Sequence, residues 1–160
     1  MIRKKPWNRV NLPVYSVSSK HAKQSNMHIC TYVSAVSMKP KRFMVALYHG
    51  TLTFELVQNE KEFVLQILKE DQYNLVKLLG QQSGHTIDKM KRLEKRKLLT
   101  VWEDFQILTG CLSALKLSVL KQISGGDHEM FLCDVVTYKN FNEGNELSLE
   151  ILSRKNIIRI

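Results

Sequence analysis

With 160 residues and 44% apolar content, the chain can bury one substantial core, and one domain over residues 1–160 is the economical count. The formal net charge of +9 favours anionic partners through the summed field, but it bears on association rather than on fold or chemistry. Cys30, Cys111 and Cys133 are widely spaced with no C-x-x-C pair, which argues against a zinc knuckle or a disulfide framework and for a reducing, cytoplasmic setting. The start, Met1 to Trp7, is cationic with no apolar stretch behind it, and no uncharged run approaches bilayer length, so no membrane role is expected.

Strand signals dominate in chain order. Val14 to Ser19 is a short β-branched run after Pro13. Ser25 to Pro40 reads as two strands framing a polar groove, with small hydroxyls at Thr31, Ser34 and Ser37 where a flat polar ligand meets side chains and backbone without obstruction. Pro40 punctuates the turn into the strand Phe43 to Leu47. Thr51 to Val57 predicts a short helix with a threonine at its cap. Glu62 to Leu68 is a buried strand, and Asp71 is expected to cap a second helix that lays Leu75, Val76, Leu78 and Leu79 on one side until Gly80 ends it. The segment from Gly80 to Gly110 is polar and basic and predicts no element. Alternation returns from Leu112 to Ile123, and the Gly125-Gly126 turn leads into Phe131 to Val136 to complete a hairpin. Six or more strands with two or three short helices inserted favour a closed or nearly closed antiparallel barrel, Greek-key-like and mainly β.

The order of these segments from about Leu12 to Lys139 resembles the flavin reductase family, whose members adopt the FMN-binding split β-barrel. Asn26 to Ser37 is similar to the family's Asn-x-x-Thr-x-Ser-Trp-x-x-x-Val-Ser strand. The Pro40 turn and Phe43 to Leu47 follow at the expected distance. Glu62 to Leu68 with Asp71-Gln72, then Ser83-Gly84-His85-Thr86-Ile87-Asp88-Lys89-Met90, then Gly126-Asp127-His128-Glu129-Met130-Phe131 resemble the family's remaining segments in the family's order. Departures are Ile29 in place of a frequent threonine, Tyr32 in place of a frequent tryptophan, and Gln66 in place of a frequent asparagine; these bear on flavin affinity and rate more than on fold.

The resemblance implies FMN as cofactor, NADH or NADPH as co-substrate, a homodimer, and an electron acceptor such as a free flavin, a ferric complex or a protein partner. Backbone and hydroxyl groups from Cys30, Thr31, Tyr32 and Ser34 are the candidates for the ring edge, against a reading as ordinary strand residues. His49, Gly50, Thr51 and Thr53 offer a flexible glycine and two hydroxyls at a helix N-terminus, where an anion is favoured; the plain alternative is a helix cap. His128 is the candidate for contact with nicotinamide or the reduced ring, against a hairpin histidine bonded to Asp127. His85 and Lys89 are implied at a flavin edge or the partner subunit's site, against a solvated charge at Lys89. The basic run Lys89 to Lys97 has no interleaved aromatics, so no nucleic-acid partner is expected, and the five histidines lack ligand spacing, so no metal is expected. Rival functions are an FMN-binding electron carrier that does not oxidise nicotinamide, and a split barrel that holds another planar ligand such as haem.

Overall fold

The computed structural model describes residues 4–160; Met1, Ile2 and Arg3 of the cationic start lie outside them. Nine strands form among the described residues: β1 Tyr15–His21, β2 Gln24–Cys30, β3 Val33–Ser37, β4 Arg42–Tyr48, β5 Glu62–Ile67, β6 Leu99–Trp102, β7 Phe105–Leu108, β8 Ser113–Ser124 and β9 His128–Asn140. Seven make one antiparallel sheet in the order β2-β1-β5-β8-β9-β4-β3, and β6-β7 is a separate hairpin. Four α-helices are inserted: α1 Leu52–Glu60, α2 Val76–Gly80, α3 Lys89–Lys95 and α4 Leu149–Arg154. This is the antiparallel barrel that the strand pattern predicts, in the split form that the family resemblance implies, with four α-helices among the described residues where two or three are expected.

The sheet encloses one core and carries a second on its other face. Val17, Val45, Leu47, Phe63, Leu65, Leu117, Phe131 and Cys133 pack inside the barrel. Met27, Val64, Leu79, Met90, Leu93, Ile107 and Leu147 pack outside it, under α2, α3, α4 and the β6-β7 hairpin. Strands β1, β2 and β5 therefore run between two cores, which is why β5 reads as a continuous apolar run instead of an alternation. The partners Val17↔Leu65 and Leu65↔Leu115 turn one side chain set into the barrel, while Ser18↔Val64 places the intervening set in the outer core.

The helix α1 starts where the sequence places it: the Thr51 side chain accepts from the Phe54 N–H at 3.1 Å. It stops at Lys61, whose φ of 65° is left-handed and whose N–H reaches the Val57 carbonyl at 2.9 Å. The second helix departs from expectation. Asp71 lies inside the first turn of a 3₁₀ segment, Glu70–Leu75, and the start of that turn is held by the Lys69 N–H donating to Gln72 Oε1 at 2.9 Å. α2 follows it directly as a five-residue helix. The polar segment from Gly80 to Gly110 holds α3, β6 and β7, because Met90, Leu93, Phe105, Ile107 and Leu108 meet the outer core although cations surround them in sequence.

Phe131 is fully buried in the barrel core, its ring 6.1 Å from that of Phe54 of α1 and tilted by 59° to it. Phe131→Ala is expected to lower unfolding free energy by about 3–5 kcal/mol, read as a reduced midpoint in urea at unchanged slope.

Candidate functional site

The barrel is split where β2, at one end of the sheet, comes against β4. At this seam the Cys30 thiol donates to the Ala46 carbonyl at 3.4 Å, and the Ala46 N–H donates to the carbonyl of Tyr32, in the connection from β2 to β3, at 2.9 Å. Among the described residues β2 pairs by ladder only with β1, and beside Cys30 the space between β2 and β4 opens into a cleft. Its wide end, of about 390 Å³, is bounded by Cys30, Thr31, Tyr32, Ala46, Tyr48 and His128. A narrower part of about 230 Å³ continues past His28, Thr51 and Gly80 to Ser83, Gly84 and Lys89. Beyond Lys89 a third recess of about 520 Å³ runs between β2 and α3, with His85 on its wall.

Aromatic rings wall the wide end. The His128 ring lies 5.0 Å from Tyr32 at 51° and 5.5 Å from Tyr48 at 65°. His128 Nδ1 is 2.6 Å from the Asp127 carboxylate, which fixes the imidazole and, by that hydrogen bond, holds the Asp127 carboxyl below its usual range. Gly50 allows Tyr48 to fold across the cleft, since a Cβ there would come within 3.0 Å of Tyr48 Cε1. Burial pushes the Cys30 thiol up to about 12, so this group serves as a hydrogen-bond donor and not as a thiolate.

The narrow part is built by close approach of three segments. The Asn26 side-chain amide donates to Thr53 Oγ1 at 2.9 Å, which fastens β2 to α1 in the protein interior. Gly84 packs against the same amide: a Cβ at 84 would lie 2.6 Å from Asn26 Oδ1. The chain then turns into α3 at Asp88, whose carboxylate accepts from the Lys91 N–H at 2.9 Å. That cap sets Lys89, the first helical residue, facing inward.

Two polar groups on this wall have unusual environments. Lys89 is 3% exposed, so it is not a solvated charge; its ammonium donates to the Leu79 carbonyl at 2.8 Å, and burial lowers its pKa to about 8. His28 is 9% exposed, and burial, the Lys89 charge and His128 together push its pKa down to about 3. Its Nδ1 is enclosed without a hydrogen-bond partner. An unpaired buried nitrogen of this kind costs about 1–3 kcal/mol, and folded proteins keep few of them.

The candidates from sequence divide accordingly. Cys30, Thr31, Tyr32, Thr51 and His128 border the wide end, Gly50, Thr51 and Lys89 the narrow part, and His85 and Lys89 the recess beyond. His85 also lies 3.3 Å from the Glu55 carboxylate. Three candidates are directed elsewhere. Ser34 is exposed on β3 and donates to the Ala35 carbonyl at 3.2 Å. His49 turns to Glu129 at 3.0 Å and packs edge-on against Phe54 at 5.2 Å, held there by the pairing of β4 with β9. Thr53 is buried behind the cleft as the acceptor for Asn26. Sequence reasoning did not single out His28, Tyr48 or Gly80, and nothing in a lone histidine or tyrosine on a strand distinguishes a cleft residue from a core residue.

Comparison with known proteins places this barrel. Residues 7–154 match the model of the flavin reductase like domain. The chain belongs to the flavin reductase-like family. A provisionally named diflavin flavoprotein A 2 of Nostoc sp. is 24% identical over 131 residues, covering 82% of this chain but 22% of that protein. The chain spans less than two thirds of the length of the curated relatives it matches. Among solved structures, the FMN-binding protein from Thermus thermophilus with bound 1-cyclohex-2-enone superposes with a TM-score of 0.75 at 22% identity, over 88% of this chain and 78% of that one. The NADH:FAD oxidoreductase SgcE6 of Streptomyces globisporus gives 0.78 at 14% identity, over 89% and 83%.

The His28 environment has a measurable consequence. The folded protein keeps this imidazole neutral down to about pH 3, whereas the unfolded chain protonates it near 6.5. The unfolded state therefore binds the extra proton, and stability falls as pH drops from 6.5 toward 3, by up to about 1.4 kcal/mol per pH unit. His28→Leu is expected to flatten that part of the stability–pH curve, measured by urea denaturation at several pH values.

Proposed function

We propose that this chain is an FMN-binding flavin reductase, in which NADH or NADPH delivers a hydride to FMN and the electrons pass on to a free flavin, a ferric complex or a protein acceptor. The observation that carries the reading is the two-part cleft at the barrel seam: an aromatic-walled wide end, and a narrow end where a helix N-terminus meets a buried ammonium. That donor set fits a planar heterocycle joined to an anion. A bound flavin supplies the hydride acceptor, and the protein's work is to hold, orient and shield it.

The parts are distributed as follows. Tyr32 and Tyr48 line the wide end beside His128 and orient a ring by stacking. The backbone and hydroxyl of Thr31, with the backbone of Cys30, lie at the end of β2 where they bond to a ring's polar edge. Gly50 and Thr51 stand at the N-terminus of the nine-residue helix α1, whose first amides have no helical acceptor and attract an anion. His85 and Lys89 reach the edge of the ligand from the recess beside α3. His128, with Nδ1 committed to Asp127, presents Nε2 toward a nicotinamide lying over the ring. Its contribution is placement, since hydride transfer needs alignment more than a proton from this residue.

A second copy of the chain completes the reading. Tyr32, Val36, Met38 and Tyr48 are exposed on β2–β4 and their connections, and Leu120, Ile123, Val136 and Tyr138 on β8 and β9, with Ile123↔Met130 and Met130↔Ala46 in register between them. This apolar surface adjoins the wide end of the cleft, and a homodimer would cover both. The three cysteines are free and buried, in keeping with a reducing cytoplasm. Among the described residues no helix is long and apolar enough to cross a membrane.

The test is an anaerobic absorbance titration with FMN and then NADH or NADPH. Uptake followed by bleaching of the flavin bands supports the reductase; uptake without bleaching identifies an electron carrier, and a Soret band on adding haem in place of FMN uptake identifies a different ligand. His128→Ala is expected to slow bleaching by roughly ten- to a hundredfold with flavin content unchanged. Equal rates would remove His128 from the mechanism.

A further inference from the structure

Tyr48 stands where the two parts of the cleft meet. Four residues border both the wide end and the narrow part: His28, Tyr48, Thr51 and Gly80. Of these, Tyr48 alone presents a large exposed side chain, half of it open to solvent. A ligand with its ring in the wide end and its tail in the narrow part therefore passes beside this phenol. Tyr32, the other tyrosine of the wall, borders the wide end but not the narrow part, so it does not span the junction.

The backbone of Tyr48 is fixed. It ends β4 in register with His128, and its carbonyl accepts from the Thr51 N–H at 3.2 Å and from the Thr51 hydroxyl at 2.9 Å. The side chain is positioned by its neighbours. Its ring meets that of His128 in a T-shaped arrangement at 5.5 Å, and Cε1, Cδ1 and Cζ lie 3.0, 3.5 and 3.9 Å from the place a Cβ on residue 50 would take. Gly50 does not have the left-handed φ that calls for glycine, so what this glycine supplies is room for the ring. The phenol can turn about its own side-chain bonds without moving the backbone, a motion that exposed side chains complete within nanoseconds.

Resting on the flavin reading above, we propose that Tyr48 is a hinged cover that retains the flavin: its ring turns aside to admit the ligand and folds back over the junction between the flavin's ring and its tail, into the space that Gly50 leaves open. The cover acts on departure more than on arrival. Stacking contact with a bound heterocycle must be broken before the ligand leaves, whereas the fast turn of an exposed side chain delays entry little. The same contact sets how the flavin is used. Beneath the ring it is kept through successive turnovers, and without the ring it exchanges between them.

The experiment measures association and dissociation of FMN by stopped-flow fluorescence on the full chain, for the native protein, Tyr48→Ala, Tyr48→Phe, Gly50→Val and the double variant. Circular dichroism confirms the fold of each, and Tyr48→Leu serves if Tyr48→Ala does not fold. Tyr48→Ala is expected to speed dissociation by about tenfold while association changes by less than about threefold. Tyr48→Phe keeps the ring and should stay within about twofold of the native rates. Gly50→Val fills the gap, turns the ring outward and should speed dissociation as Tyr48→Ala does. Gly50 also stands at the start of α1, and the double variant separates room for the ring from contact with an anion: in the Tyr48→Ala background, Gly50→Val should add less than about twofold. Unchanged dissociation in Tyr48→Ala, or a Gly50→Val effect of equal size in both backgrounds, overturns the cover while leaving FMN binding in place. No uptake of FMN by the native chain overturns the flavin reading and the cover with it.

Discussion

The hydrogen bond from Asn26 to Thr53 is the contact on which the cleft depends. It ties a strand at the end of the sheet to the helix that follows β4, across 27 positions of sequence and out of contact with water. A strand in that position offers unpaired backbone groups to any passing chain, and here it is covered by helices on the outer side. The fastening lets β2 stay apart from β4 over most of its length without falling into the barrel. Gly84 then seats the next segment against the same amide, so strand, helix and loop share one fixed point. A space bounded by three independently held segments is defined before any ligand arrives, which is the cheapest way to bind a rigid one.

The same wall carries an electrostatic cost that packing alone does not explain. Enclosing an ammonium and an imidazole side by side disfavours charge on both, and the protein resolves it asymmetrically: the imidazole gives up its proton and the lysine keeps it to about pH 8. Apolar residues of similar volume would stabilise the fold more. Local disagreement of this kind between stability and side-chain choice is expected at sites of function.

What the sequence discloses follows from how far each signal reaches. β4, β5 and the β8-β9 hairpin are legible because strand formers, an apolar run and a glycine turn specify them within a few residues. The cap at Thr51 is legible for the same reason. α3 and the β6-β7 hairpin are hidden because their few core residues sit among cations, and their burial is decided by the outer face of β1, β2 and β5. In the site, Thr31, Tyr32 and His128 are found by the family pattern. Ser34 lies within that segment, at a position the pattern leaves open, and is exposed beside a register shift between Ala35 and Ser37 that no count of alternating residues anticipates. His49 is directed by Glu129, 80 positions away. His28 has no signature at all in sequence, since its significance lies in what surrounds it.

The placement of the cysteines has a consequence for how the protein ages. All three thiols are enclosed, and burial drives their pKa values up to about 12, 11 and 12 for Cys30, Cys111 and Cys133. Peroxide and alkylating agents attack the thiolate, so the native chain offers them almost nothing. Damage to Cys111 and Cys133, fully enclosed, enters through transient opening of the outer core or of the barrel, while Cys30 also borders the cleft. Cys30 and Cys133 lie in the barrel core and Cys111 in the outer one. Cys111 and Cys133 thus act as separate clocks for the two halves of the molecule, each recording how often its own compartment breathes.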